Sequence, residues 1–205
     1  MKTTDDKLKF WIRSTLYIQN DSPEDLVNAS IKRAYLDFNR TMRGFAKKSE
    51  GKKIPLEMLQ PLVEKVRSKK FESQEKFDEW HKEQCYNLKD EFKKYFDNFP
   101  ITIGQCQKWI NMTFKYLHLL GEDEITGIEQ NYYFFHIPID SIIQERLLKK
   151  YRIEKFLKPW SKIDDYQEYL NYQKKIRETP ELQGQIPLDI EIKLFNENRS
   201  NGQKV

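Results

Sequence analysis

The chain has 205 residues, with 36 Lys and Arg against 32 Asp and Glu, giving a net charge of +4 and a sequence pI of about 8.8. Charged residues make up 33% and mean hydropathy is −0.84, yet 13 Phe, 11 Tyr and 4 Trp supply core material, which excludes a disordered chain. Seven Gly and eight Pro are too few for a turn-rich sandwich or barrel, and Cys85 and Cys106 have neither zinc-ligand spacing nor disulfide-scaffold density, so both are expected as buried thiols.

The stretch from about Lys7 to Tyr17 places Leu8, Trp11, Ile12 and Leu16 at helical spacing. Ser22-Pro23-Glu24-Asp25 then reads as an N-cap, a proline at the first helical position and two acids at the positive end of the dipole. The helix it opens carries Leu26, Ile31, Ala34, Tyr35 and Phe38 and is expected to end near Gly44. Residues 45–54 have no periodicity, and with Lys47, Lys48, Lys52 and Lys53, preceded by Arg43, they read as an exposed basic loop. A short helix after Pro55 uses Leu56, Leu59, Leu62, Val63 and Val66.

Residues 73–96 form one long apolar stripe through Phe77, Trp80, Gln84, Leu88, Phe92, Tyr95 and Phe96, with His81 expected on the surface. Phe99-Pro100 stops that helix; the next spans about 104–120 and stops at Gly121. Residues 121–137 look irregular around an aromatic knot, Tyr132 to Phe135, which the composition assigns to core packing. A helix from near Pro138 holds Ile139, Ile142, Ile143 and Leu147. After Pro159, Ser161 reads as an N-cap with Asp164 at N3, opening a helix over 163–178. Residues 187–196 alternate like a strand at Leu188, Ile190, Ile192 and Leu194, but Pro187 at N1 and the acids Asp189 and Glu191 favour a helix. The tail 198–205 is expected to be disordered. The sum is an all-α fold in a single domain, 1–197, divisible into lobes at about 1–98 and 99–197.

The first twenty residues are interrupted by charge every few positions, and no apolar run approaches the roughly 20 residues that span a bilayer. A cytoplasmic protein with no membrane association is the expectation. Phosphate loops, dinucleotide fingerprints, zincin motifs and nucleophile elbows are all absent. No metal or organic cofactor is implied.

One stretch carries chemistry. Phe99-Pro-Ile-Thr-Ile-Gly104-Gln-Cys-Gln-Lys108-Trp109 runs from a turn into a helix whose first turn is expected to bear Lys108. Further on, His136-Ile-Pro-Ile-Asp140 opens the next helix. A lysine near a helix N-terminus sits against the dipole, which lowers its pKa and makes the amine a better nucleophile. An Asp in the same position stays ionised and can stabilise developing positive charge.

Gly-x-x-x-Lys opening one helix and Ile-Pro-Ile-Asp opening the next resemble the helix-hairpin-helix DNA glycosylase superfamily. The likeness is closest to its 8-oxoguanine branch, including the compact archaeal type with a long Lys-to-Asp interval. It covers about residues 99–147. It implies a helix-hairpin-helix DNA glycosylase-like fold whose hairpin grips double-stranded DNA through main-chain N–H groups. By the same resemblance Lys108 attacks C1′ of a damaged nucleotide to form a Schiff base, Asp140 assists, and strand cleavage follows by lyase chemistry. Gly104, Gln105, Gln107 and Lys115 would then touch DNA, and Trp109, Tyr133, Phe134, Phe135 and His136 would offer platforms for the extruded base. The sequence departs from the family pattern in having one glycine, four residues before Lys108, where the family hairpin reads Leu-Pro-Gly-Val-Gly, and in placing Arg146 six residues after Asp140. The alternative is a non-catalytic helical module on the same scaffold that binds DNA or a protein, for example in phage defence. The chain is expected to be a monomer that can take a protein partner.

Overall fold

A computed structural model describes residues 4–20, 22–45 and 54–200. The basic loop at 45–54 falls outside the described residues except at its two ends, as does the tail beyond Ser200. The helices are α1 (Thr4–Leu16), α2 (Pro23–Asn39), α3 (Gln60–Ser68), α4 (Gln74–Tyr95), α5 (Ile103–Leu120), α6 (Ser141–Tyr151), α7 (Tyr166–Glu178) and α8 (Pro187–Ser200). Short 3-10 turns occupy Leu56–Met58, Glu129–Phe134 and Trp160–Lys162, and no strand occurs among the described residues. The fold is all-α.

Local signals account for most of the helix starts. Ser22 accepts a hydrogen bond from the Asp25 amide at 3.1 Å with Pro23 behind it, and Ser73 accepts one from Lys76 at the start of α4. The ambiguous segment at 187 is helical because its proline is pre-set for N1. Other expectations need correcting. Ser161 caps nothing: Trp160 to Lys162 is a 3-10 turn, and α7 starts three residues later than 163 with Asp165 as its N-cap. Residues 198–200 continue α8 as helix where a disordered tail was expected. Leu8 and Trp11 on α1 are 58% and 69% exposed, so only Ile12 and Leu16 of that stripe pack inward.

Helix α5 organises the molecule. It is buried on nearly every side, as a helix apolar around most of its circumference must be. It packs along α2 and also contacts α4, α7, α1 and the Trp160–Lys162 turn. Trp109 on α5 is fully buried, meets Tyr35, Phe38 and Phe92 edge-on or tilted, and donates its indole N–H to the Ile31 carbonyl at 3.1 Å. Because that contact joins the two halves of the chain, a single core runs from Leu16 to Leu194. Gly104 lets α5 approach the 160–163 segment closely: a Cβ there would lie 1.9 Å from the Trp160 carbonyl oxygen. Gly121, at φ 90, ends the helix as the sequence indicates.

Candidate functional site

The approach to α5 is tied down before Lys108 is reached. Thr102 and Gln105 form a capping box, and Thr102 also donates its hydroxyl to the Ser161 carbonyl at 3.0 Å. The Ile103 amide donates to Asp164 at 3.2 Å and the Gly104 amide to the Ile163 carbonyl at 2.8 Å. The Gln105 amide donates to the Thr102 hydroxyl and the Cys106 amide to the Thr102 carbonyl. Each donor in this first turn thus has an acceptor within the chain. The amides that the resemblance would aim at a DNA phosphate are paired internally in this structure.

Lys108 is the sixth residue of α5, in its second turn rather than its first. Its side chain is 5% exposed, and Nζ lies 2.7 Å from Asp140 Oδ2 and 3.4 Å from the Pro138 carbonyl oxygen. Asp140 is the N-cap of α6: Oδ1 accepts from the Ile143 amide at 2.9 Å while Oδ2 faces Lys108. Burial works to raise the Asp140 carboxyl, but the Lys108 charge and the amide donors of α6 outweigh it and hold it below the usual carboxylate range. Two residues 32 positions apart thereby share one ion pair. Asp140 is the more accessible partner, its side chain 22% exposed.

What holds this pair is a pair of glutamines. The segment from His136 to Asp140 has no helix or strand and is bonded to α5 on one side and α7 on the other. On one side Gln107 accepts from the Ile139 amide at 3.2 Å and donates to the Ile139 carbonyl at 2.9 Å. On the other, Gln173 does the same to Ile137, at 3.3 and 2.7 Å. Side-chain amides thus replace the neighbouring strands that such a buried backbone would otherwise need.

Behind the clamp lies a buried polar network that crosses four elements. Gln107 Oε1 accepts from Asn111, Asn111 donates to the Tyr169 hydroxyl at 2.8 Å, and Tyr169 meets His136 Nδ1 at 2.8 Å. His136 Nε2 lies 2.7 Å from Asp78, which Arg177 also engages at 2.7 Å. His81 sits between the Asn111 side-chain oxygen and the Tyr166 hydroxyl, with its ring 4.6 Å from that of His136. Burial lowers the pKa of both imidazoles, and for His81 the neighbouring His136 adds to the effect. Burial opposes ionisation of Asp78, but His136 and Arg177 overcome it and pull that carboxyl far down.

The expected site residues are therefore divided. Lys108 and Asp140 are brought together. Gly104 is pressed against the Trp160 backbone, Gln105 completes its capping box and donates to Thr41 at 2.9 Å, Gln107 is the clamp, and Lys115 is paired with Glu191 at 2.7 Å. Trp109, Phe135 and His136 are buried in the core and present no open platform, Phe134 is partly buried, and Tyr133 is 67% exposed. His81, expected on the surface, is fully buried, because Asn111 of α5 and Tyr166 of α7 both reach its ring, which joins the polar network. Gln173, Asp78 and Arg177 gave no sequence signal, since single polar residues on amphipathic helices look solvent-facing. Cys85 and Cys106 are buried thiols whose pKa burial pushes up.

No group of metal-ligating side chains is found among the described residues, and none of their helices is long and apolar enough to cross a membrane. No family model matches the chain, and no curated protein or solved structure is significantly similar to it.

Proposed function

We propose that the protein acts on damaged double-stranded DNA as a glycosylase/lyase of the 8-oxoguanine type, through a Schiff base formed by Lys108. The observation that carries this reading is the ion pair itself: the lysine and aspartate expected from the sequence to act together lie 2.7 Å apart, with the aspartate at a helix N-cap. In the resting pair the amine is held as ammonium. Transfer of one proton from Nζ to the Asp140 carboxylate gives the neutral amine that attack requires. Nζ then bonds to C1′ as the glycosidic bond breaks, and the departing base takes the bonding electrons and the proton that Asp140 had accepted, which returns Asp140 to the carboxylate. Ionised Asp140 stabilises the positive charge that develops at the sugar. The C1′–O4′ bond then breaks, with O4′ taking a proton from the new ammonium, to give the Schiff base; loss of a C2′ proton to the Asp140 carboxylate expels the 3′ phosphate and cleaves the strand. Access comes from the Asp140 side, the more open of the two.

The test is borohydride trapping on duplex DNA containing 8-oxoguanine, with undamaged duplex and a Lys108→Ala protein as controls. Borohydride reduces the imine to a stable secondary amine, so the expected result is a covalent adduct with damaged DNA that Lys108→Ala abolishes. Absence of an adduct from a folded protein overturns this reading. It favours the second one, a non-catalytic helical binding module, whose specific support is the internal satisfaction of the α5 amides and the burial of Trp109, Phe135 and His136.

A further inference from the structure

A cavity of about 410 Å³ opens between the end of α1, the connection that follows it and the outer side of α2. That volume lies within the range of small-molecule sites. Leu16, Ile18 and Leu36 give it apolar walls. Tyr17 turns the chain over it, ending α1 in the left-handed region at φ 56, with the Ile18 amide reaching back to the Arg13 carbonyl at 3.1 Å. Glycine would hold that turn without strain. Tyrosine instead sets a ring at the rim, lining the cavity and 76% exposed.

The polar groups around this space are unequally used. Asp25 is the one acid among the lining residues, and it accepts from the Ser22 hydroxyl at 2.7 Å. Asn28 has its side-chain oxygen taken by Gln60 at 2.8 Å, while no described residue accepts from its Nδ2. Lys32 is exposed, and no described residue pairs with it. Arg33 is bonded to the Tyr116 hydroxyl, but its Nη2 stands 3.7 Å from Asp37, beyond hydrogen-bond range, and its Nε is buried without an acceptor. Asp37 meanwhile accepts from Tyr116 at 2.7 Å. The acceptors are taken and the donors are in surplus, although buried donors ordinarily find a partner.

We propose that this cavity binds a small organic oxyanion, a phosphate ester or a carboxylate with a ring for its body. Its oxygens would take Lys32, Arg33 and the Asn28 amide, and its ring would lie between Tyr17 and the apolar walls. A planar guanidinium beside an ammonium matches the paired oxygens of such a head group. Two cations facing one space disfavour a cationic occupant, and a purely apolar one would leave the spare donors unpaired. The site shares no residue with the Lys108–Asp140 pair, so the proposal goes beyond the DNA reading and stands independently of it.

The experiment titrates the isotopically labelled full chain with phenyl phosphate and, separately, with benzoate at neutral pH. Proton–nitrogen spectra follow the Arg33 Nε–H and the Asn28 side-chain amide, which report on the cavity directly. Saturable shifts of both signals are expected with at least one of the two compounds, and the stronger binder tells a phosphate source from a carboxylate one. Inorganic phosphate, which has no ring to bury, should bind about tenfold more weakly than phenyl phosphate. Lys32→Gln changes an exposed side chain, so circular dichroism should show its helices intact, while affinity should fall about tenfold with the loss of one charged donor. No saturable shift at millimolar concentrations of either compound overturns the proposal. So do shifts confined to residues outside the cavity, inorganic phosphate binding as tightly as phenyl phosphate, or an affinity that Lys32→Gln leaves unchanged.

Discussion

Lys108→Met keeps the apolar stem of the side chain and removes its ammonium group. Asp140 is then left as a carboxylate with 22% of its side chain exposed and only the amide donors at the start of α6, with Ile143 at 2.9 Å. Breaking a fully buried pair costs about 3–5 kcal/mol; the partial water access and surviving cap bond of Asp140 bring the expected loss to about 2–3 kcal/mol. Asp140→Asn keeps the cap acceptor but strands an ammonium that is 5% exposed and faces only the Pro138 carbonyl at 3.4 Å, so it should cost somewhat more, about 3–4 kcal/mol. The double variant carries no buried charge and keeps the cap. It should fall within about 1 kcal/mol of the native protein, better than the sum of the singles by well over about 2 kcal/mol. Acid adds a second check. The Asp140 carboxyl is held below its unfolded value, so its stabilisation is present above a pH of about 4 and is lost as pH falls through the lower folded value. In Lys108→Met that downward pull is gone and burial favours the protonated form, so the variant's deficit should shrink on acidification below about pH 4. Urea unfolding followed by circular dichroism, at neutral pH and in acid, reads both effects. An additive cycle, or a deficit that grows in acid, refutes the assignment of the pair as a buried, mutually dependent unit.

Three further outcomes follow from the same geometry. His81 and His136 are held neutral by burial, their folded pKa values lie below the unfolded value, and stability should therefore fall as pH drops below about 6.5, by up to about 1.4 kcal/mol per pH unit for each ring; urea midpoints that stay flat from neutral pH to pH 5 contradict this. Gly104→Ala places a Cβ 1.9 Å from a backbone oxygen that only a shift of the 160–163 segment can relieve, and should lose about 2 kcal/mol, the strain outweighing alanine's better helix propensity. Thermal melting checks it, and an unchanged or higher midpoint counts against the close approach. Arg152 ends α6 in the left-handed region at φ 59 and is exposed, so Arg152→Gly should raise stability by about 0.5–1 kcal/mol in urea titrations.

The legible parts of this fold are those written in local chemistry. Ser22-Pro23, Ser73, Gly121 and Pro187 each do what a capping or stop residue does in isolation, and they fix the helix boundaries they border. The pairing of Lys108 with Asp140 was legible only through the resemblance, since nothing in the spacing of two residues 32 apart requires contact. His81 illustrates what was not legible. It follows Trp80 on a helix dense with charge, and its burial depends on α5 and α7 both closing over it, which no window of neighbouring residues records. Ser161 misleads for a related reason: its sequence fits a cap, but Thr102 and the Gly104 amide draw the 161–163 carbonyls into a contact with α5 and the helix begins later.

The clamp around residues 136–140 explains why the pair is rigid, and that bears on what it is for. A buried ion pair is a weak source of stability, since apolar residues of the same volume do as well or better. Here the surroundings commit two glutamines, an asparagine, two tyrosines and His81 to the network around the five residues that end in Asp140. Gln107 and Gln173 satisfy both backbone groups of Ile139 and Ile137, so the segment can neither slide along α5 nor rotate Asp140 away from Lys108 without leaving buried amides unpaired. Stability alone does not call for that degree of definition. The proton transfer from Lys108 to Asp140 that we propose would use it, because its rate depends on holding the two within hydrogen-bonding distance and in line.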